Sequence, residues 1–195
     1  MSRKKVLYVL LDEWADFEFA HVGASIHFFK EQFQNVIVGL KREPVVSIGG
    51  LSVLPDIDVK EAQKLDFDTL ILIGGNAWKR IKAEELDDFV RKAVAEGKTV
   101  AGICNAAAYL GTIGLLNHVK HTANDLDELK EWAGCGYTNE AGFQRKQAVS
   151  DKNIITANGT AYLEFAKEIM LSMKEIPTEG VIQWYGLYKN GFYPA

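Results

Sequence analysis

Lys98–Leu110 reads KTVAGICNAAAYL, and the reading of this stretch decides the fold. Thr99, Val100, Ala101 and Ile103 form a short apolar strand, and the chain turns at Cys104 into a helix of small residues. Gly102 stands two residues before the cysteine and Ala106 two after it. A strand that reverses tightly into a helix crowds its neighbours, so small side chains are a geometric requirement at both places. The pattern is a nucleophile elbow with a thiol in place of the more familiar serine. The turn puts the sulfur near the N-terminus of the following helix, where unpaired N–H groups and the helix dipole favour thiolate over thiol. Cysteine also packs as a small buried hydrophobe, so the string by itself suits a core cysteine equally well.

Outward from the elbow, apolar strands alternate with helical patterns. Lys5–Leu11 is a nearly continuous apolar run, as in a strand buried on both faces of a parallel sheet. Asp16–Glu31 carries Phe17, Ala20, Ala24 and Phe28 at helical spacing. Asn35–Leu40 is a second strand, Val45–Leu54 a hairpin around Gly49–Gly50, and Asp58–Lys64 a short helix. Phe67–Ile73 is a third core strand closed by Gly74–Gly75, and Ala83–Glu96 an amphipathic helix ended by Gly97. Beyond the elbow helix come a short helix at Asp125–Ala133 and a loop at Gly134–Gly142. Strands at Lys146–Ser150 and Asn153–Ala157 follow, joined by a turn at Asp151–Lys152, and then an amphipathic helix at Thr160–Lys174. The aromatic tail, Thr178–Ala195, reads as part helix and part packed extension. This alternation predicts an α/β fold over residues 1–195 as one domain, a mostly parallel sheet with helices on both faces.

Composition narrows the function classes. A chain of 195 residues, 48% hydrophobic and 25% charged, is an ordinary globular one. Its formal net charge of −4 and the lack of a basic run exclude a nucleic-acid partner. The basic start followed by an apolar stretch outlines a leader peptide. Asp12 and Glu13 interrupt it, however, and no small-residue cleavage site follows, so the stretch reads as the first strand. No run is long enough to span a bilayer, so no membrane partner is expected. Two distant cysteines make neither a disulfide framework nor a C-x-x-C pattern, which fits a reducing cytoplasm. No His, Cys and Asp cluster has metal-ligand spacing, and neither a G-x-G-x-x-G nor a Walker pattern is present. No metal and no cofactor are expected.

In such sheets ligands gather at the carboxyl ends of the strands. The polar residues there are Asp12–Glu13, Gly74–Gly75–Asn76, Cys104–Asn105 and Asn158–Gly159–Thr160. Glu18 follows the first strand in WADFEFA and, between Phe17 and Phe19, can point inward. Burial would raise its pKa, and a protonated Glu18 would donate to a Cys104 thiolate. The plainer role, an acid facing solvent at a helix N-terminus, falls to Asp12, Glu13 and Asp16. The N–H groups of Gly75 and Asn105 would form an oxyanion hole, unless the Gly pair is simply a turn. Of the four histidines, His121 is the candidate partner of the thiol, because the segment leaving the elbow helix can fold back over the site. Cys135 has no elbow around it and no catalytic role.

Taken together, the opening strand followed by ADFE, the strand ending IGG, the elbow AGICNAA and the late ITANGTAYLEFA resemble the ThiJ/PfpI family of the class I glutamine amidotransferase-like superfamily. That family includes PfpI-type proteases and a parkinsonism-associated deglycase. The resemblance implies a flavodoxin-like three-layer sandwich, a homodimer, a glutamate matching Glu18, a nucleophile matching Cys104 and an oxyanion hole matching Gly75 and Asn105. The PfpI-type proteases carry histidine directly after the nucleophile, where this chain has Asn105, whose amide is no base at neutral pH. The deglycase branch takes its histidine from the segment after the elbow helix, and His121 lies about a residue from that register. The implied function is a cofactor-independent cysteine enzyme acting on small carbonyl or amide substrates. The alternative is a redox-sensing, stress-response protein whose Cys104 meets an oxidant and is oxidised to a stabilised sulfinate.

Overall fold

Apolar runs that cannot face water on either side become the inner strands of a sheet. A computed structural model describes residues 3–193. In chain order the elements are β1 (Lys4–Val9), α1 (Asp16–His27), β2 (Phe33–Gly39), β3 (Val45–Val46), β4 (Ser52–Val53), β5 (Ile57–Asp58), α2 (Val59–Ala62) and β6 (Thr69–Leu72). There follow α3 (Glu84–Ala95), β7 (Thr99–Ile103), α4 (Asn105–Thr112), α5 (Leu126–Ala133), β8 (Ala148–Asp151), β9 (Ile154–Ala157), α6 (Tyr162–Ser172) and α7 (Thr178–Asn190). The main sheet has the order β5-β2-β1-β6-β7-β9-β8, parallel throughout except for the antiparallel edge strand β8. This is the mostly parallel α/β sheet that the alternation predicts, in the flavodoxin-like sandwich that the resemblance implies.

Side chains alternate across the sheet, and both sides are covered. Leu7, Val9, Leu70, Leu72 and Val100 pack against α2, α3, α4 and α5. Val6, Tyr8, Ile71, Ile73, Ala101 and Ile103 pack against α1, α6 and α7. Leu70, Ile71, Leu72 and Ile73 are fully buried, and burial of such a side chain stabilises by roughly 1.5–3 kcal/mol.

The boundaries shift where packing overrides spacing. The first helix stops at His27 rather than Glu31, because Phe28 points outward and Phe33 must enter the sheet opposite Lys4. A two-residue strand, β5, precedes α2 and pairs with β2 at the sheet edge; it is too short to show a period in sequence. Asp58 caps α2 through the Glu61 N–H, and Glu61 reaches back to the Asp58 N–H. The expected loop at 134–142 holds two single-turn 3-10 helices, Gly134–Gly136 and Glu140–Gly142. The aromatic tail is more helical than expected. Tyr185 and Lys189 of α7 both bond the Glu164 carboxylate of α6. No packed extension follows within the described residues: Phe192 and Tyr193 are 81% and 94% exposed.

Candidate active site

The elbow is strained at one residue. Cys104 sits at φ 58°, ψ −128°, outside the region that side-chain-bearing residues favour, at a cost on the order of 1–3 kcal/mol. The turn is held from both sides: the Cys104 N–H donates to Ala157 O at 3.0 Å, and the Cys104 carbonyl accepts the first α4 hydrogen bonds from Ala107 and Ala108. A side chain at Gly102 would press on the Ala106 carbonyl and on Leu110, which is the crowding anticipated from the sequence.

Glu18 meets the cysteine from the far side of a glycine. The Ala15 N–H donates to the Gly74 carbonyl, starting α1 against the end of β6. One turn later the Glu18 carboxyl lies wholly buried, and Oε2 accepts the Gly74 N–H at 2.9 Å. A methyl group on Gly74 would collide with Glu18 Oε2 and stand 2.6 Å from Cys104 Cβ, so only glycine lets the acid reach the thiol. Glu18 Oε1 is buried with no hydrogen-bond partner. Burial pushes the Glu18 pKa up to about 7, against the pull of the Gly74 N–H and of the thiol. An orphaned carboxylate oxygen is costly, whereas a proton on it removes the cost and makes it a donor.

The thiol is shifted too, opposite to the expectation from the helix N-terminus. Burial and the Glu18 charge push Cys104 above its ordinary value, while the Asn124 amide and the Asn105 N–H pull it down. Two buried acids this close tolerate one negative charge far better than two. The thiolate is therefore conditional: it forms most readily when Glu18 holds the proton.

The remaining walls come from the loop after β6, the start of α4, the segment before α5 and the end of β9. Asn105 Nδ2 donates to the Gly75 carbonyl at 2.9 Å and ties the elbow to the β6 loop. Gly75 has φ +149°, and a side chain there would strike the Glu13 carbonyl and Trp14 Cα. Among the described residues its N–H has no acceptor, and the Asn105 N–H faces the sulfur. Asn124 Nδ2 donates to Cys104 Sγ at 3.3 Å, while its Oδ1 accepts the Gly159 N–H at 2.8 Å. Gly159 itself lies against the sulfur.

His121 is not brought to the sulfur. The segment after the elbow helix does fold back, but it presents Asn124 instead. His121 is buried, with Nδ1 2.9 Å from Val119 O and Nε2 2.7 Å from the Tyr137 hydroxyl. A carbonyl only accepts, so Nδ1 carries the proton, and the Tyr137 hydroxyl lies between His121 Nε2 and Asn139 O, the latter at 2.9 Å. Burial lowers the His121 pKa and keeps the ring neutral. No sequence pattern marks Asn124, which stands beside Asp125, the N-cap of α5. Asp12 and Asp16 are not plain solvated acids either. Asp12 accepts the Val46 N–H, and Asp16 holds Ser47 Oγ and the Gly49 N–H, so both anchor the β3–β4 hairpin. Glu13 pairs with Arg80. Cys135 is exposed and free.

Among the described residues no three His, Cys, Asp or Glu side chains are grouped to hold a metal ion, and no helix is long and apolar enough to cross a membrane. The profile of the DJ-1/PfpI family matches residues 4–172. The Bacillus subtilis "Uncharacterized protease YoaZ" is 34% identical over 97% of this chain and 93% of its own length. The Pyrococcus horikoshii "Deglycase PH1704" is 32% identical over 61% of this chain and 71% of its own. Among solved structures, a thiJ/pfpI family protein from Bacillus anthracis superposes with a TM-score of 0.89 at 29% identity, covering 97% of this chain and 92% of that one.

Proposed function

The chain belongs to the DJ-1/PfpI family, and we propose that it is a cofactor-independent cysteine enzyme acting on small carbonyl or amide substrates. The observation that carries this reading is the buried Glu18–Cys104 pair at a strained elbow, two acids sharing one charge. The Cys104 thiolate adds to an electrophilic carbon, forming a C–S bond as the C=O π pair moves to oxygen. The N–H groups of Gly75 and Asn105 receive the oxyanion. Glu18 then gives its proton to that oxygen or, for an amide, to the leaving nitrogen. Asn105 has no basic nitrogen with which to activate water, so carbonyl addition suits the site better than peptide hydrolysis. Relatives named deglycase support the same direction. Methylglyoxal turnover by the wild type, lost in Cys104→Ala, is the expected result; turnover unchanged in that variant overturns the reading.

A second reading rests on the donors aimed at the sulfur. Asn124 Nδ2 and the Asn105 N–H would hold the oxygens of a Cys104 sulfinate as well as they hold a thiolate. Selective oxygen addition at Cys104 by dilute peroxide, without aldehyde turnover, would favour it; equal oxidation of Cys135 would count against a tuned thiol. For the assembly we propose a homodimer. The exposed Val46, Ile48, Leu51 and Leu54 of the β3–β4 hairpin offer a second copy an apolar face. A monomer in sedimentation equilibrium at micromolar concentration would refute it.

A further inference from the structure

Asn124 belongs to two places at once. Its amide donates to Cys104 Sγ, and the same side chain lines a polar cavity of about 410 Å³ on the side of the site away from Glu18's helix. Asn158, Gln147, Arg145 and Lys146 line that cavity as well. Its walls are fixed by hydrogen bonds. Asn158 Nδ2 bonds Gln147 Oε1 at 2.7 Å, the Thr122 hydroxyl bonds the Lys146 carbonyl at 3.1 Å, and the Gln144 N–H bonds the His121 carbonyl at 2.8 Å. His121 packs its ring on Phe143 and so braces this wall. The cavity's one carboxylate, Asp125, is already engaged by the Asp127 and Glu128 N–H groups. Arg145 and Lys146 are exposed, and among the described residues neither has a carboxylate partner. Two uncommitted cations therefore line a polar cavity that shares Asn124 with the nucleophile, in a chain of net charge −4.

We propose that this cavity is an anion subsite and that the preferred substrates are small carbonyl compounds bearing a carboxylate, that is, 2-oxo acids. The inference deepens the enzyme reading and rests on it. Arg145 and Lys146 hold the carboxylate by charge-assisted hydrogen bonds, and Asn124 is the side chain that the cavity and the sulfur share. With glyoxylate the step balances: the thiolate adds to the aldehyde carbon, the π pair moves to oxygen, and the Glu18 proton caps that oxygen. The product is a hemithioacetal with its carboxylate intact and no change of oxidation state.

The test separates binding from chemistry. Glyoxylate is titrated calorimetrically into Cys104→Ala, and into the same protein carrying Arg145→Gln and Lys146→Gln. Binding weakened roughly tenfold or more by the two neutral side chains, the scale of one lost charged hydrogen bond, with an unchanged Tm, is the expected result. Equal binding in both proteins, or none in either, overturns the subsite. The turnover arm uses the elbow-intact protein: the ratio of kcat/KM for glyoxylate over that for methylglyoxal should fall about tenfold with the same two substitutions. If the intact protein turns over neither aldehyde while charge-dependent binding persists, the enzyme reading falls and the anion subsite stands.

Discussion

Glu18 and His121 are both buried polar side chains with no exposure, and they are built in opposite ways. His121 has a partner for each ring nitrogen. Glu18 has one partner, one orphaned oxygen and a neighbouring thiol whose charge competes with its own. A saturated buried group stabilises the fold and can do little else, since any new bond must break an old one. An undersatisfied one, next to a residue at φ 58°, keeps a proton ready to move. Of two buried polar groups that sequence alone nominated for chemistry, only the one left incomplete lies against the thiol.

Four experiments break or sharpen this contrast. The largest effect is expected from Cys104→Ala, which should reduce aldehyde turnover by about 10³-fold or more, as removing an enzyme's nucleophile does; Cys135→Ala, on the exposed loop, should leave it unchanged. Next comes Glu18→Gln, with a loss of roughly 10²–10³-fold from the missing proton donor. The same variant separates the two sites by pH. In the wild type the native state keeps a proton that the unfolded chain releases between pH 4.5 and about 7, so stability falls as pH rises through that window. Glu18→Gln should remove this fall, melting higher than wild type at pH 8 and about equally at pH 4. Its Cys104 should also ionise at lower pH, followed by alkylation rate, because the repelling charge is gone. A thiol titration that does not move would dissolve the pair.

Asn124→Ala should act in the other direction and more weakly, raising the thiol pKa and slowing turnover about tenfold, the value of one hydrogen bond to a charged sulfur. His121→Ala should show the smallest kinetic effect and a clear structural one. Removing the buried ring leaves a void and takes one partner each from the Tyr137 hydroxyl and the Val119 carbonyl, which keep Asn139 O and Asn139 Nδ2; the loss costs roughly 1–3 kcal/mol, seen as a Tm lower by some 2–4 °C per kcal/mol in a chain of this size. If turnover vanished in His121→Ala while the Tm held, the contrast between the two buried groups would fail.

The order of strands and helices was legible because it is written in local period and punctuation. The continuous run at Lys5–Leu11 has the pattern of a strand covered on both sides, and the small residues around Cys104 have the pattern of a sharp turn. The same local logic found Glu18, an acid between two phenylalanines, and Gly74–Gly75 after a core strand. It named His121 and passed over Asn124. Both stand in one returning segment, and which of them reaches the sulfur depends on where the Thr122 N–H meets Thr156 of β9, a contact across 34 residues. Nor could it foresee that Cys104 would be pushed up rather than down. A helix N-terminus is visible in sequence, but the charge of a buried neighbour on another element is not. The sequence by itself determined the sheet and the elbow, and singled out Glu18 and Cys104, which the fold brings together. Only the tertiary structure decided the direction of their pKa shifts, the third side chain at the sulfur and the two cations that share that side chain's cavity. Desolvation and through-space charge depend on which distant segments close over a group.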